Sequence, residues 1–445
     1  MREATDKINN TGGVRLILRA LKHKNYRLFF AGQSISLIGT WMQQVAISWL
    51  VYRMTSSAFY LGAVMSASQI PVCIAAPLAG VLADRWSRHK MIVATQILSM
   101  LQATILAVLV ITHTITVWKI IGLGIFMGLI NGFDMPIRQA FVYELVDKQE
   151  DIPNAIALNS LIFNGARLIG PAIAGVLIAA VGEGICFSLN AVSYLAVIVA
   201  LLAMRLTPRN INRHNDHIIT GLKDGLLYAY RFVPIRAILL LLAMVGIIGM
   251  PYAVLMPVFA KDILHGGPRT LGFLMGAVGI GALCGALFLA SRKTIKNLDR
   301  ILVVAIVIFA VGIIGFSLSR NIWFSLCLTL LAGFGMMVQM ASINTILQTI
   351  VDDDKRGRVM SLYIMAFMGT APIGSLLAGS VAHKIGAAHT LQISGALCII
   401  GAIIFWKKLS AIREIVHPVY VSKGIIPQVA NGIGTATQIS VGTKE

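Results

Sequence analysis

Three ionisable residues lie inside long apolar stretches of this 445-residue chain: Asp134, Arg138 and Arg167. A charge near the middle of a bilayer costs about 2.5–3.5 kcal/mol even on a lenient insertion scale, so each needs a partner or a task. Asp134 is the one acid within a stretch and can take up or release a proton, whereas Glu183 and Asp262 stand at stretch edges. A plainer role stays open for it, an ion pair with Arg138 four residues on, or with Arg88. Arg167, if it faces a cavity, attracts an anionic or carbonyl-rich solute. Uncharged polar and aromatic residues accompany these three. They are Gln33, Ser36, Trp41, Gln43 and Gln44 in the first stretch, Gln69 in the second and Asn131 in the fourth, then Asn159 and Asn164 in the fifth, and Gln339 and Asn344 in the tenth. Each can line a substrate cavity or bond a neighbouring helix. A mixed polar, aromatic and Met-lined cavity suits a large amphiphilic solute.

This inventory belongs to binding and proton movement, not to bond breaking. No Ser/His/Asp set or carboxylate pair sits in a plausible cleft, and no GxxxxGK[ST] suggests a nucleotide-driven pump. Cys73, Cys186, Cys284, Cys327 and Cys398 fall in or beside apolar stretches and read as small core residues; the nine histidines show no metal spacing. No catalytic role, metal or cofactor is expected.

The elements that must position these residues follow from composition. The chain is 57% hydrophobic and 12% charged, with a mean hydropathy of +0.81. A soluble domain carries about 25% charged residues, so this surface needs lipid. Apolar stretches run over Leu28–Val51, Tyr60–Leu82, Met91–Ile111, Ile120–Phe141, Ala155–Val181 and Ile185–Met204, then over Ala237–Phe259, Leu271–Ala290, Ile301–Leu318, Ile322–Leu347, Val359–Val381 and Thr390–Trp406. Each is near the ~20 residues a helix needs to cross the hydrocarbon core. Backbone groups in lipid must bond internally, so an all-α membrane protein of twelve transmembrane helices is expected. Met1–Asn25 is polar and basic and carries no signal-peptide pattern.

The net charge of +19 has a topological origin. Of 37 Lys and Arg, only Arg53, Lys119, Lys261, Arg269, Arg320 and Lys384 fall in one set of alternate loops, and Arg167 lies within a stretch. The other thirty lie in the opposite loops, the two terminal segments and the linker, counting Arg138 with the loop that follows the fourth stretch, which places both termini in the cytoplasm. Little basic charge is left over for nucleic acid, which is not an expected partner.

The chain also repeats itself. Leu61-Gly62…Met65 recurs as Leu271-Gly272…Met275, and Gly170, Gly175 and Gly182 recur as Gly374, Gly379 and Gly386. Asp147 before the fifth stretch has a counterpart in Asp352 before the eleventh. Two six-helix halves with a substrate site between them are expected. The divisions are a cytoplasmic arm 1–27, a first half 28–204, a linker 205–236, a second half 237–406 and a tail 407–445. Within the linker, Ile218–Phe232 reads either as an amphipathic helix on the membrane surface or as a plain spacer.

Two motifs carry a family resemblance. Between the second and third stretches stands Gly80-Val-Leu-Ala-Asp84-Arg85-Trp-Ser-Arg88-His-Lys90. It resembles the major facilitator superfamily signature G-x-L-A-D-R-x-G-R-[RK], with Ser87 in place of the usual glycine and Lys90 one place late. The resemblance implies a conformational latch built on Gly80, Asp84, Arg85, Arg88 and Arg138. The acid docks against the eleventh helix, near Val359–Ser361, and Arg88 meets an acid at the end of the fourth, for which Asp134 is the candidate. A static surface ion pair is the plainer alternative. In the fifth stretch, Ala157-x8-Ala166-x3-Gly170-Pro171-x2-Ala174-Gly175 resembles the antiporter motif G-x8-G-x3-G-P-x2-G-G, with alanine at three glycines. There small residues pack helix five on helix eight, and the resemblance implies export.

The wider pattern narrows the branch. Asp134-Met-Pro136-Ile-Arg138, Asn154-Ala-Ile-Ala-Leu-Asn159, Arg167-Leu-Ile-Gly-Pro and Phe187-Ser-Leu-Asn190 resemble the enterobactin-exporter-like branch of siderophore exporters and macrolide-type efflux proteins. The likeness covers about Lys22–Lys408. It implies a monomeric secondary transporter in a bacterial inner membrane, exporting a siderophore or amphiphilic small molecule by proton antiport. A lysophospholipid flippase, an organic-solute importer and a non-transporting membrane protein are the alternatives.

Overall fold

The computed structural model describes residues 18–83, 86–205, 226–292, 297–352 and 355–422. Among them there is no strand. The helices are α1 Lys24–Thr55, α2 Ala58–Ala83, α3 Arg88–Ile111, α4 Val117–Val142, α5 Ile152–Val181 and α6 Glu183–Leu202, followed by α7 Val233–Ile248, α8 Pro268–Ala290, α9 Leu298–Leu318, α10 Ile322–Ile350, α11 Arg356–Met368 and α12 Ala387–Ser422. Two are interrupted. Past the break at Gly249, Met250 and Pro251, α7 resumes as Tyr252–Val258 and ends in a π turn, Phe259–Ile263; α11 resumes past Gly369 as Thr370–Ile385. Caps fix several ends. The Asn321 side chain accepts from the Trp323 and Phe324 amides at the start of α10. Gly182 and Gly386 end α5 and the second part of α11 at φ 83° and 87°, where a side chain would be strained.

Eleven of these helical stretches are long and apolar enough to cross a membrane. The exception is α1. It is 32 residues long, but Gln33, Ser34, Ser36, Thr40, Gln43 and Gln44 dilute its apolar character. Gln33, Ser36 and Gln43 are buried against its neighbours and not turned to lipid, so its length and burial fit a span while its composition does not. The last helix runs to Ser422, beyond the Trp406 end expected from hydropathy. Its polar extension is held by Arg413, whose guanidinium donates to Asp299 at the start of α9.

The first six helices pack chiefly on one another, α1 on α5 and α6, α2 on α4, and α3 on α4 and α6. The last six do the same, α8 and α9 on α10, α9 on α12, and α7 on α11 and α12. Between the sets, α5 packs on α8 and α2 on α11, and the second part of α7 reaches α1 and α2.

The repeat is legible in these contacts. His23, just before α1, hydrogen-bonds Asp147 at 3.0 Å; Tyr228, just before α7, donates to Asp352 at 3.0 Å. His23 and Tyr228 are 205 residues apart, and so are Asp147 and Asp352. The linker is described as helix over 226–231, and its Leu226, Leu227 and Tyr230 are exposed. The remainder of the expected amphipathic segment lies outside the described residues.

Candidate functional site

At the end away from the linker the two sets of six meet through paired glycines. A Cβ built on Gly62 of α2 would stand 3.1 Å from Gly379 Cα of α11, and one on Gly379 would stand 3.0 Å from Gly62 Cα. The symmetry-related contact joins α8 to α5, where a Cβ on Gly272 would stand 2.9 Å from Gly175 Cα and one on Gly175 3.0 Å from Gly272 Cα. Only glycine permits backbones this close. At the same end the Tyr52 hydroxyl of α1 donates to Asp262 in the π turn after α7, and Lys261 Nζ lies 3.3 Å from Ser56 Oγ and 5.4 Å from the Tyr52 ring centroid.

Of the antiporter-like motif, Ala166, Gly170, Pro171, Ala174 and Gly175 are all buried. Gly175 packs on α8 as the motif suggests. Gly170 instead meets α1, where an added Cβ would stand 3.0 Å from the Ile38 carbonyl oxygen.

Deeper between the halves lies a group of four residues. Arg167 is at the midpoint of the 30-residue α5 and Met336 at the midpoint of the 29-residue α10. An Arg167 guanidinium nitrogen is 4.0 Å from Met336 Sδ, and the group lies 5.8 Å from the Trp41 ring centroid of α1. Tyr252, the first residue after the α7 break, turns its hydroxyl to the same sulfur at 4.0 Å. Phe163 meets Trp41 edge to face, with centroids 5.9 Å apart and planes at 69°. Arg167 makes no ion pair among the described residues. The sequence pointed to Arg167 and Trp41 but missed Tyr252 and Met336; the Gly249–Pro251 interruption of an apolar stretch was the available signal for Tyr252.

Asp134 is elsewhere, 3% exposed inside the first set of helices. Its carboxylate accepts from Thr95 Oγ1 at 2.8 Å and Gln96 Nε2 at 2.9 Å, both on α3, and pairs with Arg138 at 2.5 Å. Arg138 also donates to Gln33 Oε1 of α1 at 3.0 Å. Arg88 does not meet Asp134. It pairs with Glu144 at 2.9 Å, just past the end of α4. Asp134 lies eight residues inside that end, roughly 12 Å at 1.5 Å per residue, beyond the reach of a side chain at the surface turn. Of the other latch residues, Asp84 and Arg85 lie outside the described residues, and Gly80 falls within the last turn of α2.

Several candidates for the cavity serve packing inside one half. Gln43 accepts from Asn190 at 2.8 Å and donates to Gln102 at 3.0 Å, joining α1, α6 and α3. Gln33 and Ser36 are buried on the same side of α1 as Gln43. Gln339 is fully buried one turn from Gly335, which packs on Ala305 and Phe309 of α9, so it faces the interior of the second half. Asn344 accepts from Gln348 at 3.1 Å and Asn164 donates to the Ser160 carbonyl at 2.9 Å. Gln44, Gln69, Asn131 and Asn159 are half-buried.

Comparison with known proteins agrees with this architecture. Residues 17–418 match the family model described as transmembrane secretion effector. The chain is 26% identical over 381 residues to the staphyloferrin A transporter of Staphylococcus aureus, covering 85% of this chain and 95% of that protein. It is 25% identical over 384 residues to the multidrug efflux pump Tap of Mycolicibacterium fortuitum, covering 83% and 92%. Among solved structures, a bacterial homologue of the human lysosomal transporter Spinster, in an inward-facing and occupied conformation, superposes with a TM-score of 0.70 at 10% identity, over 88% of this chain and 97% of that one. Paired halves, glycine contacts between them and a family match over most of the chain agree: this multi-pass membrane transporter belongs to the transmembrane secretion effector family of the major facilitator superfamily.

Proposed function

We propose that the chain exports a siderophore or amphiphilic small molecule from the cytoplasm by alternating access, driven by proton antiport. The carrying observation is where the halves touch. Glycine contacts and the Tyr52–Asp262 bond close one end, while Arg167, Trp41, Tyr252 and Met336 meet at mid-helix. The charge bias of the loops makes the linker end cytoplasmic. Cargo then enters from the cytoplasm and leaves when the far end parts. The staphyloferrin A transporter and the Tap efflux pump, as relatives, support siderophore-like or drug-like cargo. On this reading α1 is the twelfth span, both termini are cytoplasmic, and the monomer works in a bacterial inner membrane.

Asp134 carries the coupling proton. When it is protonated, its ion pair with Arg138 is lost, and Arg138 keeps Gln33 of α1 as its partner. The shift re-seats α4 against α1 inside the first half, away from the cargo. The Gly80–Arg88 loop steadies one of the two access states.

Inverted membrane vesicles with an acidified lumen test this, using panels of siderophores, macrolides and lysophospholipids. Siderophores or macrolides should accumulate in the lumen, and a protonophore should abolish it. Asp134→Asn should leave only a slow equilibration of cargo that no longer responds to the gradient. Gradient-responsive accumulation by Asp134→Asn would remove the proton from this residue. Uptake only by right-side-out vesicles would establish an importer, and transfer of lysophospholipid alone a flippase.

A further inference from the structure

The cation at mid-helix has no counter-charge among the described residues. Arg167 offers five N–H donors, yet the structure gives its guanidinium only a thioether sulfur at 4.0 Å and the face of Trp41 at 5.8 Å. Neither contact neutralises it. The other interior arginine, Arg138, has both an acid and an amide acceptor. Arg167 is half-buried, and an ionisable group within a membrane span that has no partner marks a place where something else supplies the opposite charge. Water can fill the donors but leaves the charge in place. A bound anion does both.

The surroundings give the rest of the ligand's shape. Trp41 and Phe163 stand edge to face on one side, and Met336 with Tyr252 on the other. These are apolar walls with one hydroxyl. The helices involved are α1 and α5 from the first half and α7 and α10 from the second, so a molecule seated here touches both. We propose that the cargo carries a carboxylate that binds the Arg167 guanidinium through two parallel hydrogen bonds, with its apolar part against Trp41 and Met336. The inference rests on the transporter reading and names the cargo's chemical class. The planar fork of arginine matches a carboxylate in two bonds, whereas lysine offers a single point charge.

Two probes that differ only in charge test it: dansylglycine and its methyl ester, titrated by dansyl fluorescence into the purified full chain in lipid nanodiscs with no proton gradient. Wild type should bind the acid about tenfold or more tightly than the ester, the scale of one charge-assisted pair. Arg167→Gln should bind both alike, at the ester's affinity. Arg167→Lys should keep part of the preference, and Trp41→Ala should weaken both probes together. Unchanged helical circular dichroism confirms that each variant is folded. Equal affinity of wild type for acid and ester, binding of neither, or an acid preference that survives Arg167→Gln overturns the proposal. Because no gradient is involved, the export reading is judged separately. Vesicles that export while the two probes bind alike sink only the anion site; a clear acid preference without gradient-driven accumulation sinks only the export mechanism.

Discussion

The clasp at His23 predicts a pH dependence that can be read residue by residue. Its Nε2 lies 2.8 Å from Asp151 and its Nδ1 3.0 Å from Asp147. A neutral imidazole has one N–H and can donate to only one of them; both contacts are favourable together only in the imidazolium. Burial alone would lower the His23 pKa, but its hydrogen bonds to Asp151 and Asp147, together with their charges, outweigh burial and raise it above the usual 6.5. The sign follows from linkage. The clasp's contribution is complete below pH 6.5 and is lost as pH rises through the raised value. The charged neighbours are Arg19, Lys22, Asp147, Lys148, Glu150 and Asp151; histidine is the side-chain type whose charge changes near neutral pH, so the imidazole is the group to follow. Deprotonation forfeits about one charge-assisted hydrogen bond, roughly a tenfold change in local opening. The reporter is the Ala20 amide, which donates to Asn154 Oδ1 at 2.9 Å and so opens with the Arg19–Lys22 turn. Hydrogen exchange, corrected for the intrinsic rate, should show about tenfold less protection at pH 9 than at pH 6. His23→Tyr copies the equivalent Tyr228 and should flatten the profile, because a phenol stays neutral across this range. A flat wild-type profile, or an equal slope in His23→Tyr, would refute the assignment.

Two further outcomes rest on geometry. Gly272→Leu places a Cβ 2.5 Å from the Pro171 carbonyl oxygen and 2.9 Å from Gly175 Cα; backbone cannot yield there, so disulfide formation between Ser56→Cys and Lys261→Cys should fall about tenfold or more, a scale set by overpacking costs of about 1–3 kcal/mol, and an unchanged cross-linking rate would contradict the close contact. Arg88→Glu should lower the thermal midpoint of the purified protein slightly, by the up to ~1 kcal/mol of a partly exposed pair, and adding Glu144→Arg should restore it; failure of the reversed pair to restore stability would show that Arg88 draws on other contacts.

The helices and their duplication were legible because lipid leaves the backbone few choices. Gly62, Gly175, Gly272 and Gly379 were visible as a repeat, but a repeat does not say what its members touch; that each glycine meets another repeat glycine emerged only from the packing. The site was read unevenly. Arg167 was recoverable because a charge in an apolar stretch is conspicuous. Gln33, Ser36 and Gln43 were grouped with Trp41 as cavity candidates, yet at 3.6 residues per turn the first three share a side of α1 that Trp41 does not. A helical wheel separates the two sides, but only the fold says which side faces Gln102, Asn190 and Arg138 and which faces Arg167. Glu144 escaped as the partner of Arg88 because the sequence places it in a short turn, where an acid attracts no notice.

The glycine contacts at the far end have a mechanical consequence. Each is a meeting of helix backbones whose amides and carbonyls are already bonded along their own helices, so pulling the surfaces apart strands no donor or acceptor. No rotamers need sorting when they meet again. What is given up is dispersion, about 0.1–0.2 kcal/mol per atom pair. On the alternating-access reading proposed above, the seam unzips and reseals without leaving a polar group unpaired. Its dwell time in the shut state falls to the few polar grips beside it, Tyr52 on Asp262 and Lys261 on Ser56. On that reading, a single substitution at one of those four positions retimes the proposed cycle while leaving the glycine contacts in place.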